Sequence, residues 1–282
     1  MGAQILSGKE AAAALLEELK PKIQQLDPKL VIVQVGDDPG SETYIKQKLK
    51  TCSEVGMRTQ HKHLPTETTR EELLKTIREL NDDSSVTGFI VQLPLPPHLQ
   101  HCMPEVQVSI HPDKDVDGFG PYNLGSTFLS AGQERIPPAT PAGIITLLEF
   151  HKIPIEGKHA VVVGRSNTAG KPLAVMLLNR HATVTICHSR TKNLAELTRQ
   201  ADLLFVAVGT PKLITKDIVK PGAVVIDIGV NHTPEGIKGD VDFEAVKEIA
   251  SAITPVPGGV GPMTVASLLR NVVKACDGKI HH

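Results

Sequence analysis

The feature that most constrains this chain is a repeated alternation. Short apolar runs, rich in β-branched residues and ending near glycine, serine or proline, are followed by stretches with helical periodicity. LVIVQVG (30–36) and GFIVQLPLP (88–96) are such runs in the first half, and KHAVVVG, TVTICHS, DLLFVAVG and AVVIDIG follow between residues 158 and 229. A run that is apolar at nearly every position is buried on both faces, the condition of a strand inside a parallel sheet covered by helices. Helices are expected over 9–26, from the DDPGS turn (37–41) to about 55, over 69–80, over 142–152 and finally over 264–277, with HKHLP (61–65) as a further strand segment. Such alternation implies right-handed βαβ units. Residues 97–140 interrupt it, because Pro, Gly and His become frequent and periodicity fades, and a loop-rich crossover is expected there. The reading is α/β, with two α/β domains built on parallel sheets.

Composition removes several classes of function. The 282 residues carry 30 Lys and Arg against 31 Asp and Glu, a formal net charge of −1, which disfavours a broad basic surface for nucleic acid. The four cysteines, Cys52, Cys102, Cys187 and Cys276, are far apart with no C-x-x-C pair, so reduced thiols are expected and no metal site. No apolar run approaches the ~20 residues of a membrane span. The start, MGAQILSGKE, lacks a basic segment followed by an apolar one, and Ser7 falls one place late for a myristoylation signal at Gly2. A soluble, cytoplasmic protein without membrane or nucleic-acid partners is expected.

KHAVVVGRSNTAGKPLAVMLL (158–178) reads as a strand, a turn bounded by Gly164 and Gly170, and a helix. Free N–H groups at such a helix start favour a phosphate, which points to a dinucleotide site including Arg165 and Ser166. A Walker A loop does not fit: five residues separate the glycines, and Lys171 precedes Pro172 where a hydroxyl residue is required. A plain βα turn with no ligand is the alternative. The next strand sharpens the choice, because TVTICHSRT (183–191) ends in His188, Ser189 and Arg190, where NAD sites have an acid for the ribose. With Arg165, these residues suit a 2′-phosphate and favour NADP. Solvated surface arginines are the alternative.

In the first half, Tyr44 and Lys48 are four apart and share one helix face, while Lys46 and Lys50 project elsewhere. Tyr44 also suits boundary packing. Gln92 follows a buried strand at its carboxyl end, where ligand sites of α/β sheets collect. DKDVDG (113–118) brings Asp113, Asp115 and Asp117 onto one glycine-ended loop, which is a binding cluster or turn chemistry.

Together, GSETYIKQKLK, GFIVQLPLP, PDKDVDG, VVVGRSNTAGKP, TVTICHSRT, GAVVIDIGVN and ITPVPGGVGPMTVA resemble the bifunctional methylenetetrahydrofolate dehydrogenase/cyclohydrolase family, in family order and over nearly the whole chain. The resemblance implies a folate-binding catalytic domain, 1–139 plus 264–282, and an NADP-binding Rossmann-type domain, 140–263, with the active-site cleft between them. It also implies a homodimer. It assigns Lys48, Gln92, Asp117 and Tyr44 to catalysis. Tetrahydrofolate derivatives fall to these four with Leu93, Pro257, Gly258 and Gly259. NADP falls to Thr140, Gly164, Arg165, Ser166, Gly170, His188, Ser189, Arg190, Ile228 and Gly229. Ala139, Ala142, Thr168 and Ala169 depart from the family pattern and bear on cofactor-loop packing.

The implied chemistry divides in two. Hydride transfer from the methylene bridge to nicotinamide needs alignment and no protein acid or base. Hydrolysis of the methenyl product needs proton movement, for which Lys48 suits if burial lowers its pKa and Gln92 holds it. Asp117 would read the pterin N–H groups and Tyr44 would stack on the ring. A non-catalytic folate- or nucleotide-binding paralogue, and an NADP-dependent reductase of another small substrate, are the competing readings.

Overall fold

The computed structural model describes residues 2–277; residues 278–282 of the expected first domain lie outside the described residues. In chain order the elements begin β1 (Gln4–Ile5), α1 (Gly8–Leu26), β2 (Lys29–Val35), α2 (Pro39–Val55), β3 (Arg58–Leu64), α3 (Arg70–Asp82), β4 (Gly88–Val91), α4 (Met103–Ser109) and α5 (Pro121–Leu129). They continue with α6 (Ala139–Phe150), β5 (His159–Val163), α7 (Gly170–Leu178), β6 (Thr183–Cys187), α8 (Leu194–Thr198), β7 (Leu203–Val206) and β8 (Val224–Asp227). The hairpin β9 (Asn231–Thr233) and β10 (Gly236–Lys238), then α9 (Phe243–Val246), β11 (Ala252–Ile253) and α10 (Val260–Asp277), complete the fold.

The chain forms two compact α/β units. One comprises Leu15–Ser126, Glu134–Ala139 and the chain from Val265 onward. Its sheet has three parallel strands in the order β3-β2-β4. Val31, Val33 and Val35 of β2 pack with Leu73, Leu74 and Ile77 of α3 and with Phe89 and Val91 of β4. Helix ends follow local chemistry: Asp38 accepts from Ser41 N at 2.7 Å ahead of Pro39, and Gly56 closes α2 with a φ of 76°. Thr69 and Glu72 form a reciprocal capping box on α3.

The other unit comprises residues up to Ala14, Thr127–Gln133 and Thr140–Thr264. It carries six parallel strands in the order β1-β11-β8-β7-β5-β6. Two segments expected in the other domain, the residues up to Ala14 and Thr127–Gln133, cluster with this unit. Gln4 and Ile5 pair with Ala252 and Ile253, which draws the first residues into the six-stranded sheet. Asn179 Nδ2 donates to Thr127 O at 2.8 Å, tying the end of α5 to α7 within the same unit.

Other departures have simple causes. The 97–140 stretch contains α4 and α5 rather than loop alone, since helices of 7 and 9 residues are too short to display a period. α6 and α10 start a few residues earlier than expected, because Pro141 and Pro262 sit in first turns, where a missing N–H costs nothing. β4 stops at Val91, before Gln92-Leu93-Pro94, where proline would break the ladder.

Phe89, fully buried in the three-stranded unit, tests the packing account. Phe89→Ala is expected to destabilise the protein by about 3–5 kcal/mol. Urea unfolding reads this as a lower midpoint, and an unchanged midpoint would contradict the packing described.

Candidate active site

Two constellations carry chemistry, one in each unit. In the three-stranded unit, α2 presents Tyr44 and Lys48 from one face, and Lys48 is buried while Tyr44 is half-buried. Lys48 Nζ donates to Gln92 Oε1 at 2.9 Å. Gln92 is oriented from both ends: its backbone N–H donates to Val33 O at 2.8 Å, and its Nε2 donates to Leu93 O at 2.8 Å. Ser41 Oγ donates to the same Leu93 carbonyl, so the first turn of α2 and the end of β4 are tied together.

The three aspartates of DKDVDG separate into distinct roles. The segment lies beside β4, with Phe89 N donating to Lys114 O and a parallel bridge between Phe89 and Asp115. Asp113 forms an ion pair with Arg135. Asp115 is buried and accepts from the backbone N–H of Gly118, Phe119 and Gly120 and from Asn123 Nδ2, at 2.7 to 3.3 Å. Asp115 therefore shapes the loop. Only Asp117 keeps a carboxylate that accepts no hydrogen bond from the described residues, and part of its surface stays open.

Electrostatics in this recess favour neutral groups. Burial lowers the Lys48 pKa from its ordinary value, opposed by the charge of Asp117. Burial raises the Asp117 carboxyl to about 6, with Lys48 pulling it down and Asp115 pushing it up. Cys52, one turn beyond Lys48, is held as a thiol by burial that pushes its pKa to about 12. Burial also raises the Tyr44 phenol. A buried amine held by a carboxamide, near an unengaged carboxylate, can move a proton and can bind a cationic or N–H-rich ring.

In the six-stranded unit, β5 leads through the Gly164 turn into α7. A Cβ on Gly164, whose φ is 134°, would lie 2.3 Å from Ala207 O, and one on Gly170 would lie 2.2 Å from Gly164 O. Both sites exclude any side chain. The expected free amides at this helix start are in fact engaged. Ser166 Oγ accepts from Ala169 N and Gly170 N, and Ser166 O accepts from Lys171 N, so a hydroxyl on the turn caps the helix. Arg165, Ser189 and Arg190 are exposed, and none has a side-chain hydrogen bond or ion pair among the described residues. Gly164 N donates to Cys187 O at 2.9 Å, which sets the turn against the end of β6. There His188 Nδ1 accepts from Arg190 N at 3.1 Å, shaping the turn that presents Ser189 and Arg190.

The remaining expected residues also fall in this unit. Thr140 Oγ1 accepts from Thr264 Oγ1 at 3.1 Å. Ile228 N donates to Val206 O, and a Cβ on Gly229 would meet the Asp240 carboxylate. Pro257, Gly258 and Gly259 form a turn whose Gly258 carbonyl accepts from Gly8 N at 3.0 Å. Tyr44, Lys48, Gln92, Leu93 and Asp117 thus belong to one unit, and the other thirteen expected positions to the other. Among the described residues, no group of three His, Cys, Asp or Glu side chains is arranged to hold a metal ion. Sequence reading missed Asp227 and Asp240, two buried carboxylates beside Gly229, because isolated acids in GAVVIDIGVN and KGDVDF carry no periodic signal.

Residues 6–117 match the catalytic domain of tetrahydrofolate dehydrogenase/cyclohydrolase, and residues 138–280 match its NAD(P)-binding domain. The chain belongs to the tetrahydrofolate dehydrogenase/cyclohydrolase family. It is 51% identical to the bifunctional protein FolD of Moorella thermoacetica, over 98% of this chain and 99% of that protein. The crystal structure of the bifunctional FolD methylenetetrahydrofolate dehydrogenase/cyclohydrolase from Campylobacter jejuni superposes with a TM-score of 0.94 at 48% identity, covering 98% of this chain and 99% of that one. The Trypanosoma brucei dehydrogenase-cyclohydrolase, solved with NADP cofactor and an inhibitor, gives 0.93 at 34% identity, with all of both chains covered.

The raised Asp117 pKa has a stability consequence with a definite sign. Between about pH 4 and 6 the folded state holds a proton that the unfolded chain has released, so the group's stabilisation at low pH is lost as pH rises through about 6. Asp117→Asn removes that loss. It is expected to stabilise the protein at pH 7 on the order of 1 kcal/mol, with the gain vanishing near pH 4. Urea midpoints at the two pH values measure it, and a midpoint lowered at pH 7 would contradict the burial of this carboxylate.

Proposed function

We propose that this chain oxidises 5,10-methylenetetrahydrofolate with NADP+ and hydrolyses the resulting 5,10-methenyltetrahydrofolate to 10-formyltetrahydrofolate. The observation that carries the reading is the buried Lys48 amine, held by Gln92 and close enough to Asp117 for their charges to interact. A binding module without turnover has no need of an amine whose pKa is depressed. In this reading residues 1–139 with 264–282 handle the folate, and residues 140–263 handle the cofactor.

Asp117 accepts hydrogen bonds from the pterin N–H groups, since it alone of the three aspartates has no hydrogen-bond or ion-pair partner among the described residues. Tyr44 stacks on the ring. Leu93 adds a further folate contact. In the hydrolytic step water adds to the cationic bridge carbon and Lys48 Nζ takes one of its protons, which passes to the folate nitrogen that leaves as the ring opens, while the remaining hydroxyl proton is released to solvent as the formyl C=O forms. Gln92 keeps Nζ directed throughout. Burial lowers the pKa of the amine, which raises the share of free base above that of an exposed lysine.

NADP+, when bound, accepts the hydride of the first step. The side-chain-free cradle at Gly164 and Gly170, with Ser166 on the same turn, fits a dinucleotide pyrophosphate, and Thr140, Ile228 and Gly229 are further cofactor contacts in this reading. Arg165 after β5 and Ser189 and Arg190 after β6, without side-chain partners among the described residues and with no Asp or Glu in 183–191, favour a 2′-phosphate over a free ribose. His188 sets the turn that carries two of them. The reading includes a cytoplasmic homodimer. Its supports are four cysteines that form no disulfide and the exposed apolar residues Ile186, Leu178, Phe128 and Leu129 of the six-stranded unit, of which Ile186 lies on the edge strand β6. No helix among the described residues is long and apolar enough to cross a membrane.

Lys48→Met keeps the apolar stem and deletes the amine. Hydrolysis of methenyltetrahydrofolate is expected to fall by about 10²–10⁴-fold, while the dehydrogenase rate survives to a much larger extent. Following the appearance and decay of that intermediate by absorbance, corrected for spontaneous hydrolysis, separates the two. Parallel loss of both would sink the proton-transfer role. Arg165→Ala is expected to weaken NADP+ binding by about 1.5–3 kcal/mol and leave NAD+ nearly unchanged. Equal losses in kcat/KM for both cofactors would return Arg165 to a structural role.

A further inference from the structure

The six-stranded unit buries two carboxylates that the reaction does not use. Asp240 is fully buried, and its oxygens accept four hydrogen bonds: from Val208 N at 2.6 Å, Gly209 N at 3.0 Å, Thr210 N at 2.9 Å and Asn231 Nδ2 at 2.9 Å. Three consecutive backbone N–H groups converging on one anion form a nest of the kind that elsewhere holds phosphates or carboxylates. Here the anion is the protein's own. Asp227, also buried, accepts from Gly229 N at 3.0 Å, Asp240 N at 3.0 Å and Val241 N at 2.9 Å. No Lys or Arg side chain forms an ion pair with either carboxylate among the described residues, so their stabilisation comes from amide N–H dipoles. The packing leaves no slack: a Cβ on Gly239 would lie 1.9 Å from Asp227 Oδ2, and one on Gly229 would lie 2.1 Å from Asp240 Cγ.

The two acids are linked in series, since Asp227 holds the backbone of Asp240 and Asp240 holds the loop after β7. That loop begins at Ala207, whose carbonyl lies against Gly164, and Gly164 O in turn lies against Gly170. Asp227 also fixes Gly229 in the loop after β8. Both loops leave the carboxyl edge of the sheet that carries the Gly164 turn.

We infer that Asp240 and Asp227 are positioning residues for the dinucleotide, an internal anion pair that fixes the loops after β7 and β8 against the Gly164 turn. The inference rests on the cofactor reading above. A neutral amide at Asp240 keeps the volume but replaces one accepting oxygen with a donor that faces N–H groups, so the loop must move. Burying an unpaired anion for this purpose is costly, and burial raises the Asp227 carboxyl to about 6.

The test is Asp240→Asn, with NADP+ binding measured by calorimetry and cyclohydrolase activity measured without cofactor. NADP+ dissociation is expected to rise by about tenfold or more, as for loss of a charge-assisted hydrogen bond. KM for NADP+ should rise with it, while kcat at saturating cofactor and the cofactor-independent hydrolysis stay near wild type. Unchanged NADP+ affinity, or hydrolysis and cofactor binding falling together, would overturn the inference. Should Asp240→Asn fail to fold, Asn231→Ala removes one donor to Asp240 and leaves the nest. It is expected to weaken NADP+ binding several-fold with hydrolysis intact, and unchanged binding would overturn the inference equally. Wild-type protein that does not bind NADP+ would instead overturn the cofactor reading.

Discussion

Parallel pairing is the constraint on which the remaining structure depends. Because β2 runs parallel to both β3 and β4, and all six strands of the larger sheet run the same way, the chain leaves each strand of a sheet at one edge. Every loop that can carry chemistry is thereby collected there, and the helices that return the chain cover both faces. Gln92 follows β4, the Gly164 turn follows β5, the His188 turn follows β6, and the two loops braced by Asp227 and Asp240 follow β7 and β8. None of these positions needs a separate device to bring it to its sheet edge.

Within the three-stranded unit, one buried contact converts that geometry into reactivity. An ammonium taken from water loses solvation that a single carboxamide contact at 2.9 Å does not replace, so the charged form is disfavoured. Asp117 would restore the charge if it lay in a full ion pair, yet it acts only at a distance, and its own pKa is raised. The recess therefore holds two groups whose pKa values are drawn toward neutrality from opposite directions. Such a pair suits proton transfer far better than an ordinary surface lysine and aspartate would.

Much of this was legible in the sequence, for identifiable reasons. The strands that are apolar throughout announced parallel sheets, and the Tyr44–Lys48 spacing fixed a shared helix face before any coordinates were known. The Gly164–Gly170 spacing gave the turn, but not that Ser166 would cap its helix, since a hydroxyl's partner depends on turn conformation rather than on spacing. The DKDVDG loop left three aspartates open, and only burial and hydrogen bonding separate the shaping Asp115 and the paired Asp113 from Asp117. β1 and β11 were missed because two-residue strands have no periodicity, and they decide where the chain's first residues belong. Asp227 and Asp240 were missed for a related reason: an isolated acid in a sequence looks solvated until the amides that surround it are known.

The central claim, that the fold depresses the Lys48 amine, is open to direct titration. Lysine ε-carbon and ε-nitrogen resonances, followed by NMR in isotopically labelled protein with Lys48 identified by its absence in Lys48→Met, report each amine separately. The account predicts that the Lys48 signal titrates below the ordinary lysine value of about 10.4, apart from the exposed lysines. A Lys48 signal that titrates at or above that ordinary value would contradict it.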